Sequence, residues 1–564
     1  KFVILIFSNQ PMKYLLSIIF MQCILCSAFA QNFPIEKLAL QTDRETYVTG
    51  EPVLFKLDVL DAATHRPSSI SKIGYIVLRN ANSKTIRQLR IRIDDGTANG
   101  NISLPDTLSS GLYQIVAFTN LLRNYGEKFY FKKQLTIINQ SDTNFDFYKN
   151  KSKPTSEQSA NTDSPLSIEC DSTHYKPCQR IAVKLHSVSS GANVAVSVFE
   201  SNNQYTCQPA EPANNFDHKL ITTYAYLPET KGNILKGEVL DATSQQKIKN
   251  AVVLLSRIDT VPNLKYAITD SEGKFRMFLS NYYDGKDLFL IIKDVPKNAN
   301  WKIKIEDKFA LNQKFTPSPL AGIDTAFFTK SQNVVYINKS YEIDPYKQEK
   351  ANEVKPAPAP RFYFGSATSI YPADFTPLDN FSEIVTELVP LLYIRKQGDK
   401  KWLDILGAAS NQFENKGAAL FLDGVYVDDI NKILDFGSDI IRKIDVIYTE
   451  RCFGDLVFQG MVAISGKENL IRTLTPASYS LRIMNPAIAN NYFLSANADP
   501  ATANKNKPFV TQLLYWNPNI SISDKKDTEI VFFTSENKGT YTIKAEGFTQ
   551  NGEPVCTSTK FEVK

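Results

Sequence analysis

The chain has 564 residues, which is enough for roughly three to five domains of ordinary size. Its composition, 43% hydrophobic and 22% charged, is that of a folded globular chain whose domains can each bury a core. The 64 basic and 59 acidic residues leave a net charge of +5, which is too balanced to indicate nucleic acid or an anionic membrane as the partner. The 26 Tyr and 35 Phe residues favour β-structure, because these side chains suit half-buried pleated surfaces.

Residues 1–30 have the pattern of a secretory leader with some upstream residues. Translation is expected to start at Met12, Lys13 supplies the positive charge, and the apolar core that follows is too short to span a membrane comfortably. The small-x-small sequence ending at Ala30 predicts cleavage before Gln31. The later sequence has no stretch of membrane-helix length. We therefore expect an exported protein.

An internal repeat is the most informative feature of the sequence. Residues 37–57 and 165–185 align without a gap, at an offset of one domain length. Each copy has a short strand, a polar turn and a strand of period-2 alternation, so alternate side chains should face a core. The shared positions are Asp43 with Asp171, Tyr47 with Tyr175, and Val53, Phe55 and Leu57 with Ile181, Val183 and Leu185. The set expected to face outward or a rim in the first copy is Leu54, Lys56 and Asp58.

The Asp-x-x-x-Tyr-x-x-Gly-Glu-x-Val pattern at residues 43–53 resembles the macroglobulin-type β-sandwich domain of alpha-2-macroglobulin relatives. The second copy departs from this pattern, with Cys178 and Gln179 where the first copy has Gly50 and Glu51. The resemblance implies two related Ig-like sandwiches, and it says more about the fold of the second copy than about a shared binding role.

The first sandwich is expected at residues 36–140 and a second, shorter unit at residues 165–230. Residues 141–164 are rich in Ser, Asn, Lys, Asp and Thr and are predicted to be a linker. Tyr47 and Tyr175 should occupy equivalent places in the two units. Because the second unit is short, we expect it to be either truncated or completed by later residues.

A third β unit is expected at residues 232–310. Its motifs resemble the carboxypeptidase regulatory-like domain, a small transthyretin-like sandwich that is the non-catalytic part of those enzymes. Residues 311–360 end in Pro-Ala alternation and are predicted to be a connector. The motifs that carry the resemblance are Ala251-Val252, Thr269-Asp270 and Gly273-x-Phe275.

The pattern changes at residues 361–470, where apolar residues at helical spacing alternate with short buried strands in β-α-β order. Residues 380–392 and 428–436 are helix candidates. This region resembles a divergent plug domain of TonB-dependent outer-membrane receptors, without the receptor barrel. The carriers of the resemblance are Leu422-Asp423-Gly424-Val425, Ile444-Asp445-Val446-Ile447 and Gly460-Met461-Val462-Ala463-Ile464.

The last part of the chain, residues 477–564, is predicted to be one more β-sandwich. Four strand candidates support this prediction, at residues 509–516, 528–534, 540–548 and 557–563. The predicted fold class is therefore mainly β and multidomain, with Ig-like and transthyretin-like sandwiches in tandem and one small α/β plug-like domain.

The sequence contains no recognisable catalytic or metal-binding set. None of its histidines lies in His-x-x-Glu or His-Glu-x-x-His spacing, and it has neither a Gly-x-Ser-x-Gly elbow nor a Cys-Gly-Glu-Gln thioester. Residues 460–467 look like a phosphate loop, but the glycines are too far apart and Glu468 replaces the Ser or Thr. We expect a protein that is not an enzyme and that carries no catalytic residue, metal or cofactor. The four histidines are His65, His174, His186 and His218.

Two features are candidate sites. Cys170 and Cys178 flank the turn of the second copy, where adjacent strands can bring their Cα atoms within the roughly 4.4–6.8 Å that a disulfide needs, so we predict this bond. Asp423 and Gly424 end a strand and have two interpretations. They are either a loop for docking another protein, or a turn in which Gly takes a positive φ and Asp caps it. The turn is favoured, because such dipeptides are common without function.

The composition and the missing catalytic set favour a non-enzymatic binding or assembly protein. The resemblances imply a place in the periplasm or at the outer membrane of a Gram-negative envelope, with another envelope protein as the partner. The alternative is an accessory component of a TonB-dependent outer-membrane uptake system. Transport by this chain alone is disfavoured, because the residues after the plug-like unit supply about four of the many strands that a receptor needs. The absent thioester disfavours a protease inhibitor of macroglobulin type, and the absent catalytic set disfavours a hydrolase.

Overall fold

The computed structural model describes residues 35–143, 165–187, 191–201, 207, 224–280, 283, 287–295, 299–318, 325–346, 367–398, 400–406, 417–474, 481–484, 488–489, 507–523 and 527–564. The expected cleavage site at Ala30 and Gln31, most of the linker and His218 lie outside these residues. Strands predominate over helices, which confirms the mainly β, multidomain fold class.

The first sandwich is formed by β1 (Glu36–Thr42), β2 (Thr46–Val48), β3 (Pro52–Asp61), β4 (Ile73–Asn80), β5 (Thr85–Arg92), β6 (Thr97–Ser103), β7 (Gly111–Thr119) and β8 (Phe131–Ile138). One sheet has the order β1-β3-β6 and the other the order β2-β8-β7-β4-β5. The second sheet is extended beside β5 by a short strand from much later in the chain, β29 (Ile488–Ala489). Val53, Phe55 and Leu57 on β3 face the core between the sheets, as the alternation predicts.

The second sandwich is assembled from two distant parts of the chain. Its first four strands are β9 (Leu166–Cys170), β10 (His174–Tyr175), β11 (Arg180–Ser187) and β12 (Ala192–Glu200). Its last four are β30 (Leu513–Ile522), β31 (Thr528–Phe533), β32 (Gly539–Thr549) and β33 (Pro554–Val563). The sheets have the orders β9-β11-β31 and β10-β33-β32-β12-β30, which match the first sandwich strand by strand. Residues 201–512 are thus inserted between the fourth and fifth strands of the second copy.

The separate C-terminal sandwich predicted at residues 477–564 does not form. All four of its expected strands are present, but β12 pairs with β32 on one side and with β30 on the other, and β11 pairs with β31. The residues of β12 are almost all buried. The backbone N–H and C=O groups on both edges of this strand therefore need hydrogen-bond partners, which β30 and β32 supply. The short second unit is therefore completed by later residues and is not truncated.

The repeat motif has the same geometry in both sandwiches. The short strands β2 and β10 each pair in parallel with the last strand of their own sandwich. The Tyr47 hydroxyl donates to Asp43 Oδ1 at 2.7 Å, and the Tyr175 hydroxyl donates to Asp171 Oδ1. The two tyrosines therefore occupy equivalent places in the two copies.

Glu51 and Gln179 accept equivalent backbone hydrogen bonds in the two copies. The Val48 N–H donates to Glu51 Oε2 at 2.8 Å, and the Lys176 N–H donates to Gln179 Oε1 at 2.8 Å. The replacement of Glu by Gln in the second copy preserves this acceptor and removes its charge. Glu51 is also paired with the Arg44 guanidinium at 2.9 Å.

The third sandwich is formed by β13 (Asn233–Asp241), β14 (Val252–Arg257), β15 (Lys265–Ile268), β16 (Lys274–Leu279), β17 (Asp287–Ile292) and β18 (Trp301–Ile305). Its sheets have the orders β16-β13-β18 and β15-β14-β17, and β28 (Leu481–Met484) pairs with the outer edge of β17. On β16 the alternation places Phe275, Met277 and Leu279 in the core and leaves Lys274 and Arg276 exposed.

The α/β unit contains β19 (Thr368–Ile370), β20 (Leu392–Gln397), β21 (Lys400–Ile405), β22 (Ala419–Leu422), β23 (Val425–Val427), β24 (Ile441–Ile447), β25 (Arg451–Phe453), β26 (Leu456–Phe458) and β27 (Met461–Gly466). Five of these strands form a mixed sheet of order β19-β24-β27-β22-β23, in which β22 and β27 are parallel. The core of the unit is closed by residues of this sheet and of the helix over it. Two hairpins, β20-β21 and β25-β26, extend from the unit.

One of the two helices predicted in this unit is present. The helix over the sheet is Phe381–Leu388, and its first turn is capped because the Glu383 N–H donates to Asn380 Oδ1 at 3.0 Å. The helix predicted at residues 428–436 is instead a single 3-10 turn, Ile430–Lys432. The Leu434 carbonyl accepts from the Phe381 N–H at 2.9 Å, which removes it from any helical ladder.

The connector predicted at residues 311–360 contains a helix that was not predicted from the sequence pattern. This helix, α1 (Thr325–Ser340), packs Phe328 and Val335 against Val48 and Ile138 of the first sandwich. The helix Phe381–Leu388 is accordingly α2. No helix in the described part of the chain combines the length and apolar character needed to cross a membrane.

The face of β3 that is expected to point outward is covered by the second sandwich. Leu54, Lys56 and Asp58 are all buried, so the expectation of an outward or rim position is wrong. Leu54 packs against Trp516 of β30, and Lys56 Nζ donates to Asn193 Oδ1 of β12 at 2.7 Å. The sheet β1-β3-β6 is therefore buried on both faces, which a pattern of polar and apolar residues in β3 alone does not reveal.

We predict that Tyr47→Phe destabilises its sandwich by about 1–3 kcal/mol, because the buried Asp43 carboxylate loses its hydroxyl donor. The matched variant Tyr175→Phe should cost less than about 1 kcal/mol, since Asp171 is exposed and water can replace the hydroxyl. Hydrogen exchange of the amides in β8 and β33 measures the two effects separately. Equal losses in both sandwiches would contradict the argument.

Candidate binding surface

The Asp423-Gly424 turn is buried and highly connected. Asp423 is 6% exposed, with φ of +46°, and Gly424 follows with φ of +82°. Asp423 Oδ1 accepts from the Gly466 N–H at 2.8 Å, and Oδ2 accepts from the Ile471 N–H at 3.0 Å. The carboxylate therefore fixes the end of β27 and the turn that follows it.

The other side of this turn docks on the third sandwich. The Asp259 N–H donates to the Asp423 carbonyl at 2.9 Å, and the Asn263 N–H donates to the Gly424 carbonyl at 3.3 Å. A Cβ atom on Gly424 would lie 2.6 Å from the Asp259 carbonyl oxygen. The turn thus has the positive φ and the capping carboxylate of the favoured interpretation. It is not open for docking another protein, because its contact surface is already occupied by residues 258–263 of the same chain.

The disulfide predicted between Cys170 and Cys178 is wrong. Both thiols are free, and the bond joins Cys207 to Cys556 on β33, with a Cα–Cα distance of 5.9 Å. Cys170 ends β9 and packs partly against the core, where burial raises the pKa of its thiol to about 11. Cys178 lies in the exposed turn at φ of +60°, the position held by Gly50 in the first copy. Cys170 therefore contacts the core of the second sandwich, whereas Cys178 faces solvent.

The described histidines are dispersed over the surface. His174 Nδ1 lies 3.4 Å from Glu562 Oε2, and His186 Nδ1 lies 3.1 Å from Asp527 Oδ1, both in exposed pairs. The described residues contain no group of three or more His, Cys, Asp or Glu side chains arranged to hold a metal ion. The sequence that looks like a phosphate loop is β27, a buried strand.

A cleft of about 1160 Å³ lies on the outer face of the sheet β16-β13-β18. Its floor carries the side chains that alternate with the core residues of these strands, including Lys236, Lys274 and Arg276. Its walls come from residues 266–268 of β15, from Tyr226 before β13 and from Asp455 in the β25-β26 turn. The cleft is therefore bounded by the third sandwich and by the α/β unit.

The acidic groups of the cleft are engaged within the protein. Glu238 pairs with Lys247, and this hydrogen-bonded partner is the main reason why the pKa of the Glu238 carboxyl lies below its usual value. Glu306 Oε1 lies 2.7 Å from Arg123 Nη1. Asp270 Oδ1 accepts from the backbone N–H groups of Glu272 and Lys274, each at 2.9 Å.

The basic groups of the floor, by contrast, have no carboxylate partner among the described residues. Lys274 and Arg276 are exposed, and the half-buried Lys236 has its Nζ 5.9 Å from the centre of the Tyr226 ring. Lys247 and Arg123 neutralise Glu238 and Glu306. The charges of the cleft without an ion-pair partner among the described residues are then Lys236, Lys274 and Arg276 against Asp270 and Asp455, so the balance is positive. The arrangement is suited to binding an anionic group.

The wall formed by Tyr226 is fixed to the first sandwich. The Arg123 guanidinium lies 3.9 Å from the centre of the Tyr226 ring, and the Tyr226 N–H donates to Asn124 Oδ1 at 2.9 Å. Asn124 Nδ2 donates back to the Tyr226 carbonyl at 2.6 Å. These contacts hold the segment before β13 in place, so the cleft is bounded by ordered residues on that side as well.

A second cluster of charged side chains is buried in the first sandwich, where it stabilises the fold. Arg44 Nη2 donates to the Tyr346 hydroxyl at 3.0 Å, and that hydroxyl donates to Glu51 Oε1 at 2.9 Å. Burial raises the pKa of the neighbouring Asp43 carboxyl to about 6, despite the opposing effect of Arg44. The cluster connects the chain after α1 to the repeat motif of the first sandwich.

The cleft is not predictable from the sequence. The alternation of Lys274, Phe275, Arg276 and Met277 is a signal for a basic outward face on β16. The walls are distant in sequence from that strand, so only the folded chain shows that the face is enclosed.

No family model and no curated protein matches the chain. Among solved structures, trypsin-activated alpha-2-macroglobulin from Escherichia coli is similar over 94% of this chain and 41% of that chain, with 9% identity and a TM-score of 0.24. Salmonella alpha-2-macroglobulin reacted with methylamine is similar over 94% and 39%, with 8% identity and a TM-score of 0.24. FdeC, an Escherichia coli adhesin, is similar over 31% and 49%, with 13% identity and a TM-score of 0.14. The chain spans about two fifths of the length of the macroglobulins.

We predict that Gly424→Ala weakens the contact between the third sandwich and the α/β unit. The added Cβ meets the Asp259 backbone, and overpacking of this kind costs about 1–3 kcal/mol beyond the strain of a positive φ. Gly398→Ala is the matched control, because Gly398 has φ of +59° but open space around its Cβ position. Thermal unfolding and limited proteolysis of both variants measure the difference. An equal loss of stability in the two variants would show that the contact contributes nothing.

Proposed function

We propose that this chain is a non-enzymatic binding or assembly protein of the Gram-negative envelope, at the periplasm or the outer-membrane surface, and that its contact surface is the cleft on the third sandwich. The cleft itself is the observation that carries the proposal, because a concave surface with convergent polar groups is the usual form of a binding site. The described residues that line it include no His, Cys or Ser. This lining supports binding in preference to catalysis.

The identities of two units belong to the same proposal. The third sandwich is a carboxypeptidase regulatory-like domain in this interpretation, supported by its two small sheets and by the turn from Thr269 to Gly273. The α/β unit is a plug-like domain, supported by the helix that covers its mixed sheet and by the parallel pairing of β22 with β27. Its own helix and sheet bury its core, so it needs no surrounding wall for stability.

The contacts of the plug-like unit indicate what it contributes. Its Asp423-Gly424 turn is occupied by the third sandwich, and its Asp455 borders the cleft. Asp455 is held there because its N–H donates to the Tyr266 hydroxyl at 3.2 Å. In the proposed function, the unit positions one wall of the binding surface and does not dock through the turn.

We predict that a photo-crosslinking amino acid at Ile268 captures a partner envelope protein in intact cells. Ile268 lines the cleft and is 48% exposed. The same amino acid at Tyr336, which is 72% exposed on α1 and outside the cleft, is the matched control. Mass spectrometry of the crosslinked products identifies the partner.

Capture of one protein at Ile268 and not at Tyr336 supports the proposed function. If that protein is an outer-membrane receptor, the accessory role in TonB-dependent uptake is the correct form of it. Capture at Tyr336 alone would place the binding surface elsewhere and would reject the cleft.

A further inference from the structure

We infer that the cleft binds an acidic, extended segment of the partner polypeptide, and that this segment adds as a strand to the open edge of β15. The inference rests on the proposed function and specifies the chemistry of the partner at the same site. Three features of the cleft lead to it: an open sheet edge, a basic floor without carboxylate partners among the described residues, and an exposed apolar side chain.

The first feature is the edge of β15. Among the described strands, β15 pairs only with β14. The Val252 carbonyl on β14 accepts from the Lys293 N–H at 2.9 Å, on the side of β17. Because backbone groups of one residue in an antiparallel strand point to the same side, Val252 does not bond with Ile268, its partner on β15.

The backbone N–H and C=O of Ile268 therefore point towards the open edge, and those of Tyr266, two residues earlier, do the same. An unpaired edge of this kind is a template for a strand from another chain. Both residues line the cleft, so an added strand would lie inside it.

The second feature is the charge of the floor. Lys236, Lys274 and Arg276 lack carboxylate partners among the described residues, while Glu238 and Glu306 are paired within the protein. A segment with acidic side chains on one face would match these groups, and such complementarity fixes both partner choice and register. The exposed side chain of Ile268 supplies the apolar contact for the residues between the acidic ones.

The open edge decides between a polypeptide and an anionic glycan. Either polymer could satisfy the basic floor, but only a polypeptide has amide groups at the spacing that Tyr266 and Ile268 present. The glycan is therefore an alternative outcome of the test.

The probe is a fluorescent, end-blocked peptide of about seven residues, an ordinary strand length, in which Glu alternates with Val and Thr. Two further peptides are N-methylated at the odd or at the even backbone amides. Binding to the full chain is measured by fluorescence anisotropy. Since strand addition uses alternate amides, we expect one methylated peptide to lose binding and the other to retain it.

The protein variant is Lys274→Glu with Arg276→Glu, two exposed residues on β16 whose replacement leaves the core intact. It should bind the unmodified peptide at least about tenfold more weakly, since two attractions become repulsions. Lys302→Glu is the matched control, because Lys302 is exposed on β18 of the same sheet but does not line the cleft. It should leave the affinity unchanged within about twofold.

Equal affinity of the protein for all three peptides would overturn strand addition. Equal affinity of the two charge variants for the unmodified peptide would show that the basic floor does not recognise acidic side chains. Tight binding of dextran sulfate with no binding of any peptide would assign the cleft to an anionic glycan and reject the inference. If Ile268 still captures a protein in cells in any of these cases, the proposed function stands and only the chemistry of the partner is wrong. If neither peptide binding nor capture occurs, both fail.

Discussion

The structure depends on the pairing of β12. This strand lies in the middle of a sheet, and both of its neighbours, β30 and β32, come from the C-terminal part of the chain. The Glu200 N–H donates to the Gln512 carbonyl at 2.7 Å, so the chain leaves the second sandwich and returns to it at the same place. The Cys207–Cys556 bond lies soon after this exit and ties the departing segment to β33. Residues 201–512 are thus an insertion in the second sandwich.

Burial of charge then fixes the insertion and the two sandwiches to one another. Lys56 is buried against Asn193 of the second sandwich, and Tyr346 brings the chain after α1 to Arg44. Charges buried in this way need partners, because desolvation is costly. The cleft shows the opposite arrangement, since its basic groups are open and lack carboxylate partners among the described residues. That contrast separates the charges that stabilise the fold from those that are free to meet a ligand.

Features that depend on neighbouring residues in sequence could be predicted. The strands at 419–422, 440–447 and 461–464 are present within a residue or two, because each is a short apolar run with turn signals at its ends. The repeat motif is equally local, since Tyr47 and Asp43 are four residues apart and hydrogen-bond within one turn. The alternation on β3 also identifies Val53, Phe55 and Leu57 as core residues.

Features that depend on which distant strands meet could not be predicted. Cys170 and Cys178 are close in sequence, but the disulfide follows the position of β33, which only the closure of the second sandwich determines. The four C-terminal strands have the alternation of any sandwich, and that alternation does not indicate β11 and β12 as their partners. The cleft is hidden for the same reason, because its floor and its walls belong to different units.

Hydrogen exchange of a chain that ends at residue 506 tests the central claim most directly. Without β30 and β32, the amides of β12 have no neighbouring strand on either side, so they should exchange at the rate of an unfolded segment. The amides of β13 and β14 should remain protected, because their partners lie within the third sandwich. Full protection of β12 in the shortened chain would contradict the account, since it would show that the second sandwich closes without the C-terminal strands.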